Sequence, residues 1–336
     1  MKKLSLFLIG LFLVPSLFLT SCDKGDDPGT GETATPAFTL MKDYMLANNL
    51  DINTILTNTD GAKFVAGAPA EADLQAFLDK YYIIDIRGAA DYTTSHIEGA
   101  TNVSFANILN AAPLAEGQPI LIVCYSGQTA CFATSLLRMA GYSSTQALKW
   151  GMSGWNADTA ASWNNNIGDA AQGNANWSYT ATAAPTVYND PTITSFSTSG
   201  EDILMERIEY VIADSFGSAT ASGGDVLASP SNYYINNYFS EADYTSFGHV
   251  DGAFRIKEDL LLATNGYKAL DPATDGLVVT YCYTGQTSAV MTAWLRVLGY
   301  DAYTMTFGMN GVYNSNPAWT TNQWSPAVSK NLPLVN

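Results

Sequence analysis

Metal-binding and basic side chains are scarce in this chain of 336 residues, which has two histidines, four cysteines, and 15 lysines and arginines against 31 aspartates and glutamates. No Cys-x-x-Cys pair and no Cys/His cluster at zinc spacing occurs, so neither a metal nor another cofactor is expected. The formal charge of −16 excludes nucleic acid as a natural partner, because too few cations are available to neutralise phosphates. Long hydrophobic runs are equally rare. After Leu4 to Leu19, none is long enough to cross a bilayer.

That first run has a purpose of its own. Met1-Lys2-Lys3, the apolar stretch and Thr20-Ser21-Cys22 have the basic, apolar and small-residue regions of a secretory signal over residues 1–21. Leu19-Thr20-Ser21-Cys22 also resembles a bacterial lipobox, whose cysteine carries lipid after cleavage; a plain signal peptide is the competing reading. Residues 22–37 are polar and rich in Gly and Pro, as a flexible tether is. The acidic residues after Cys22 resemble the surface-export signal of Bacteroidota lipoproteins. The expectation is an exported protein held to the outer membrane by lipid on Cys22, on its periplasmic or cell-surface face. Loss of Lys2 and Lys3 would take the formal charge from −16 to −18.

With Cys22 assigned to lipid, Cys124, Cys131 and Cys282 remain. An odd count in an exported protein argues for free thiols rather than a disulfide framework. If 128–140 is helical, Cys124 and Cys131 lie about 10 Å apart, too far for a bridge. Cys131 is expected in the core, and its counterpart downstream is Ala289.

What the chain does contain is one phrase twice: Leu-Ile-Val-Cys-Tyr-Ser-Gly-Gln-Thr-Ala at 121–130 and Val-Thr-Tyr-Cys-Tyr-Thr-Gly-Gln-Thr-Ser at 279–288. Four further blocks repeat in the same order. Tyr81 to Tyr92 answers Tyr233 to Tyr244, and His96-Ile97-Glu98-Gly99-Ala100 answers His249-Val250-Asp251-Gly252-Ala253. Leu137 to Tyr142, followed by Trp150 to Gly154, answers Leu295 to Tyr300, followed by Phe307 to Gly311. A period near 155 residues suits two globular domains rather than a solenoid. They are placed at 38–180 and 201–336, with a linker at 181–200.

Tyr82–Ile86, Ala100–Phe105, Ile120–Cys124 and Ala147–Trp150 read as short buried strands separated by helical periodicity, which predicts an α/β fold with mainly parallel sheets. Thr39–Leu56 and Glu201–Phe216 each read as an opening helix. Cys124 and Cys282 then fall between the end of a strand and the start of a helix. There, unpaired N–H groups and the helix dipole favour thiolate and bound anions.

The first half resembles a rhodanese-homology domain through Ile84-Asp85-Ile86-Arg87, Asp91-Tyr92, His96 to Ala100 with Asn102, the Cys124 loop and Gly151-Met152-Ser153-Gly154-Trp155. The second half keeps Asp243-Tyr244, His249 to Ala253 and the Cys282 loop. The resemblance implies a tandem sulfurtransferase whose cysteine takes a sulfane sulfur from a donor such as thiosulfate and passes it, as a persulfide, to a thiol or cyanide. Cys124 is then the main catalytic residue, and Cys282 a second site, a relay or an inherited loop. Tyr125, Ser126, Gly127, Gln128, Thr129 and Arg87 would bind substrate. Tyr283, Thr284, Gly285, Gln286 and Thr287 would do so in the second copy, and Asp85 would brace the loop. Thiosulfate-using members of that family carry Arg or Lys in the loop, whereas both loops here are neutral. Asp85 and Arg87 become Asn237 and Phe239 in the second half. Arg138 and Arg296 are expected at the surface or between domains, His96 and His249 in turns rather than in catalysis, and Trp150 and Trp155 in the core. A phosphatase would need arginine where Ala130 and Ser288 stand. The remaining alternative is a non-catalytic module that binds a partner or carries persulfide at the cell surface.

Overall fold

The computed structural model describes residues 36–273, 276–319 and 321–336. The signal segment, Cys22 and most of the expected tether lie outside them. The first sheet contains β1 (Val65–Ala66), β2 (Tyr82–Asp85), β3 (Thr101–Asn102), β4 (Ile120–Val123) and β5 (Gln146–Leu148), in the order β1-β5-β4-β2-β3, with every pair parallel. β6 (Trp177–Ser178) follows. The second sheet is built from β7 (Thr220–Ala221), β8 (Tyr234–Asn237), β10 (Val278–Tyr281) and β11 (Ala302–Met305), in the parallel order β7-β11-β10-β8. β9 (His249–Val250) pairs antiparallel with β6. The central strands β4 and β10 are buried along their whole length, which is why Ile-Leu-Ile-Val and Val-Val-Thr-Tyr show no polar alternation.

The register explains where the cysteines fall. Asp85 pairs with Val123, and Asn237 pairs with Tyr281. In both halves the strands finish level, and the next residue of the central strand is the cysteine.

Four long helices matter for the site: α1 (Ala37–Ala47), α2 (Gln128–Met139), α3 (Gly200–Asp214) and α4 (Gln286–Val297). α2 and α4 pack on each other, as do α1 and α3. α2 is buried nearly all round because its own sheet lies on one side and α4 on the other. Ser135 Oγ bridges that contact to the Val290 carbonyl at 3.0 Å. At the α1–α3 crossing, Gly200 is required: a Cβ there would lie 2.3 Å from the Leu40 carbonyl oxygen.

The structure departs from the sequence reading in three places. The expected helix Thr39–Leu56 is broken after Ala47, where Asn49 takes φ +56°, a conformation that asparagine tolerates. Asp51 then starts a separate short helix, Ile52–Leu56, by accepting from the Ile52 N–H at 2.7 Å. It also accepts from Leu262 and Ala263 of the second half at 2.9 and 3.0 Å.

Residues 168–178, assigned from sequence to the first half, cross to the second. Gly168 N–H reaches the Asn310 carbonyl, Ala171 N–H reaches Val312, and β6 lies on β9. The C-terminal segment makes the reverse journey: Leu332 N–H donates to Trp155, and Val335 pairs with His96 at 2.8 and 3.0 Å. The described residues from Pro36 to Asn336 form one compact unit by their contacts.

Arg138 is not at the surface. It is only 2% exposed and donates to the carbonyls of Thr145, Ile55, Ala62 and Lys63 at 2.8 to 3.3 Å, so its buried guanidinium is held by backbone acceptors. Arg296 bonds the Ala302 carbonyl and pairs with Asp214 within the second half.

Candidate active site

Cys124 follows β4 and precedes α2, and its side chain is 2% exposed. Its Sγ accepts from the Gly127 N–H at 3.1 Å and the Ala130 N–H at 3.3 Å. These donors point inward because the loop's carbonyls are held by other groups. The Cys124 carbonyl takes the Met152 N–H, and the Tyr125 carbonyl takes the Ser153 N–H and hydroxyl at 3.2 and 3.0 Å. The Ser126 carbonyl takes the Trp163 indole N–H and the Gln286 amide, both at 3.0 Å. The resulting cup of N–H groups suits a sulfur that carries negative charge.

Gly151 makes the Met152 contact possible. Its φ of 61° and ψ of −153° are open to little but glycine, and a Cβ would lie 2.5 Å from the Cys124 carbonyl oxygen and 2.6 Å from the Gly127 nitrogen. Gly151→Ala is expected to cost about 3 kcal/mol or more. Urea unfolding checks this, and an unchanged midpoint would contradict the packing described.

Burial acts against the N–H groups. It pushes the Cys124 thiol above its ordinary range, and Asp85 adds to the rise, while the donors from Ala130, Ser126 and Gly127 offset part of it. The sequence reading of a helix terminus that simply favours thiolate is corrected here, because desolvation is the larger effect. The sign is clear: at neutral pH the thiolate fraction is smaller than for a free thiol of pKa ~8.5. Alkylation of Cys124, followed by peptide mass, should therefore still be accelerating above pH ~9, where a free thiol levels off. A plateau below that pH would contradict the burial argument. Cys131 is fully buried in the core, and burial, with Cys124 and Cys282 nearby, pushes its thiol far up.

Asp85 and Arg87 form a buried pair. Arg87 Nη2 lies 2.7 Å from Asp85 Oδ2, its Nε lies 3.0 Å from both carboxylate oxygens, and Nη2 also reaches the Ser95 carbonyl. The carboxylate accepts the Arg87 N–H as well, at 2.9 Å. Arg87 therefore spends its charge inside the protein, with its guanidinium carbon 5.8 Å from the Tyr125 ring centre. Tyr125 is 42% exposed at the mouth and donates to Asp91 at 2.5 Å. Burial and that carboxylate keep its phenol protonated.

The second loop repeats the frame with different furniture. Met309 N–H holds the Cys282 carbonyl, and the Asn310 backbone and amide hold that of Tyr283. Asn237 accepts the Phe239 N–H as Asp85 accepts that of Arg87, and Phe239 stacks on Tyr283 at 4.7 Å. Tyr283 donates to Asp243, and burial followed by that bond pushes its phenol up to about 12. Cys282 Sγ receives the Ser288 N–H at 3.4 Å and donates to the Ser288 hydroxyl oxygen at 3.7 Å.

Most of the sequence-selected residues lie in these two loops, but their side chains divide. Ser126 and Thr284 are buried, and Thr129 and Thr287 are half-buried in the first helical turns. Gln128 and Gln286 cross between the halves. Gln128 Oε1 takes the Phe307 N–H at 2.7 Å, and its amide reaches Ser126 Oγ at 3.1 Å. Gly127 and Gly285 leave room for these side chains: a Cβ would stand 2.3 Å from Gln286 Nε2 in the first case and 2.2 Å from Gln128 Oε1 in the second.

Contrary to the sequence reading, His96 and His249 lie not in turns but in β pairings: His96 bridges Val335 and His249 opens β9. Each stacks on a tyrosine and bonds its carbonyl through Nδ1 at 2.9 Å. Trp150 and Trp155 are core residues. Sequence reasoning missed Trp163 and the cross-loop bond of Gln286. The repeated Gly-Gln pair was the only available signal for the second, and Trp163 had none. Among the described residues, no group of three or more His, Cys, Asp or Glu side chains could hold a metal ion.

A parallel α/β scaffold with a cysteine cupped at the end of its central strand defines the class of domain. Residues 70–158 match the family model of the rhodanese-like domain. A thiosulfate sulfurtransferase GlpE from Pseudoalteromonas translucida is 36% identical over 83 residues, covering 24% of this chain and 79% of the relative. Another, from Pseudomonas entomophila, is 33% identical over 96 residues, covering 28% of this chain and 80% of the relative. The chain belongs to the rhodanese family. Among solved structures, a thiosulfate sulfurtransferase from Pseudomonas aeruginosa aligns with 85% of this chain and 48% of its own, at 18% identity and a TM-score of 0.29.

Proposed function

We propose that the protein is a sulfurtransferase that carries a sulfane sulfur as a persulfide on Cys124. The observation that carries this reading is the pair of N–H groups at 3.1 and 3.3 Å from Cys124 Sγ, in a loop whose carbonyls are all turned away. In the first step the thiolate attacks the outer sulfur of a donor such as thiosulfate. The S–S bond of the donor breaks, its electron pair leaves with sulfite, and the cup holds the new persulfide anion. In the second step an acceptor thiolate or cyanide attacks the terminal sulfur and returns Cys124 as thiolate. The names of the relatives, all thiosulfate sulfurtransferases, support the donor class.

The matched registers around Cys124 and Cys282 support a tandem arrangement; its domains are taken as 38–180 and 201–336 with a linker at 181–200, residues 168–178 of the first lying against the second. Export and attachment to the outer membrane through Cys22 belong to the same proposal, supported by the order of residues 1–37. A persulfide carrier without turnover is the second reading, favoured by the near-complete burial of Cys124 and by the engagement of Arg87 with Asp85. The test is sulfite release from thiosulfate in the presence of cyanide, with thiocyanate as the other product. Catalytic, Cys124-dependent release of both is expected. A single stoichiometric release of sulfite favours the carrier, and none overturns the sulfurtransferase reading.

A further inference from the structure

The Cys124 loop is completed from the other half of the molecule. The peptide joining Ser126 to Gly127 is planar and trans, so its C=O and N–H point in opposite directions. The carbonyl is tied to Gln286 Nε2 and Trp163 Nε1 at 3.0 Å each, which aims the N–H at Cys124 Sγ, 3.1 Å away. The second loop provides an internal comparison. Gln128 bonds the Phe307 N–H instead of the Thr284 carbonyl. Among the described residues, Cys282 Sγ is reached by Ser288 N–H and not by that of Gly285. The aimed N–H occurs only where the carbonyl behind it is held.

We propose that Gln286, on α4 of the second half, is a positioning residue for Cys124, holding the Ser126–Gly127 peptide so that its N–H faces the reacting sulfur. This rests on Cys124 being the sulfur carrier. It also gives the second copy a reason to keep Gly-Gln-Thr that is independent of any chemistry at Cys282. Gly285 admits Gln128, and Gln286 crosses over Gly127 to the first loop.

The experiment uses the full chain and compares wild type with Gln286→Met, which keeps the length of the side chain and removes the N–H donor. Trp163→Phe is a second variant that removes the other donor. Two quantities are read: the rate of sulfur uptake from thiosulfate at Cys124, and the pH profile of Cys124 alkylation by iodoacetamide, mapped by peptide mass. Uptake is expected to fall about tenfold in Gln286→Met. The alkylation profile should move to higher pH, because the thiolate loses a donor. Trp163→Phe should shift the profile the same way, which keeps the test available if Gln286→Met does not fold. An unchanged profile in a folded Gln286→Met protein overturns the proposal. If wild type takes up no sulfur, the sulfurtransferase reading fails by itself, and the alkylation profile still decides whether Gln286 positions the loop.

Discussion

Cys124→Ser is expected to abolish sulfite release from thiosulfate, a drop on the order of a thousandfold or more, because no other group in the loop can hold the sulfur covalently. Cys131 does not substitute: it lies in the core, and burial keeps it a thiol. Cys282→Ser should remove the smaller share of activity. Its sulfur has one backbone donor at 3.4 Å, where Cys124 has two backbone donors at 3.1 and 3.3 Å. Steady-state rates of the two variants check the order, and a larger loss from Cys282→Ser would transfer the main site to the second loop.

The largest expected effect on stability belongs to Asp85→Ala. Both members of the Asp85–Arg87 pair are withdrawn from water, with side chains 0% and 3% exposed. Removing the carboxylate leaves a guanidinium with only the Ser95 carbonyl and the Tyr125 ring for company. The cost of such an uncompensated buried charge is about 3–5 kcal/mol. The second half indicates how the loss can be repaired, since Asn237 there keeps the backbone bond to residue 239 and Phe239 fills the place of the arginine. An Asp85→Asn/Arg87→Phe double variant should therefore recover at least half of the stability lost in Asp85→Ala, although it removes the charge beside Cys124. Chemical denaturation measures both. A double variant as unstable as Asp85→Ala would mean that the second half's solution does not transfer.

The parts legible in the sequence were those with a local cause. Parallel central strands must be apolar on both faces, so Ile120–Val123 and Val278–Tyr281 stood out, and the helices after the two loops announced themselves through period and a closing glycine. What escaped was tertiary. Arg138 lies on a helix that looks amphipathic, yet it points at three carbonyls of a segment some 75 to 83 residues earlier in the chain. Residues 168–171 were assigned to the first half by their place in the chain, but their partners, Asn310 and Val312, belong to the other half. The substrate-binding role of Gln128 and Gln286 came only from the family resemblance; their bonds cross between the loops, which no single-strand or single-helix pattern records. The thiol itself was misjudged for a related reason: the helix start is visible in sequence, but the burial that outweighs it depends on both halves.

The most direct test is the mass of the protein after incubation with thiosulfate and removal of excess donor, followed by peptide mapping without reductant. The account predicts a gain of one sulfur atom, about 32 Da, on the peptide that contains Cys124, absent in Cys124→Ser and removed by cyanide or a thiol. An unmodified Cys124 after exposure to thiosulfate and to other sulfane donors, or an adduct confined to Cys282, would contradict it.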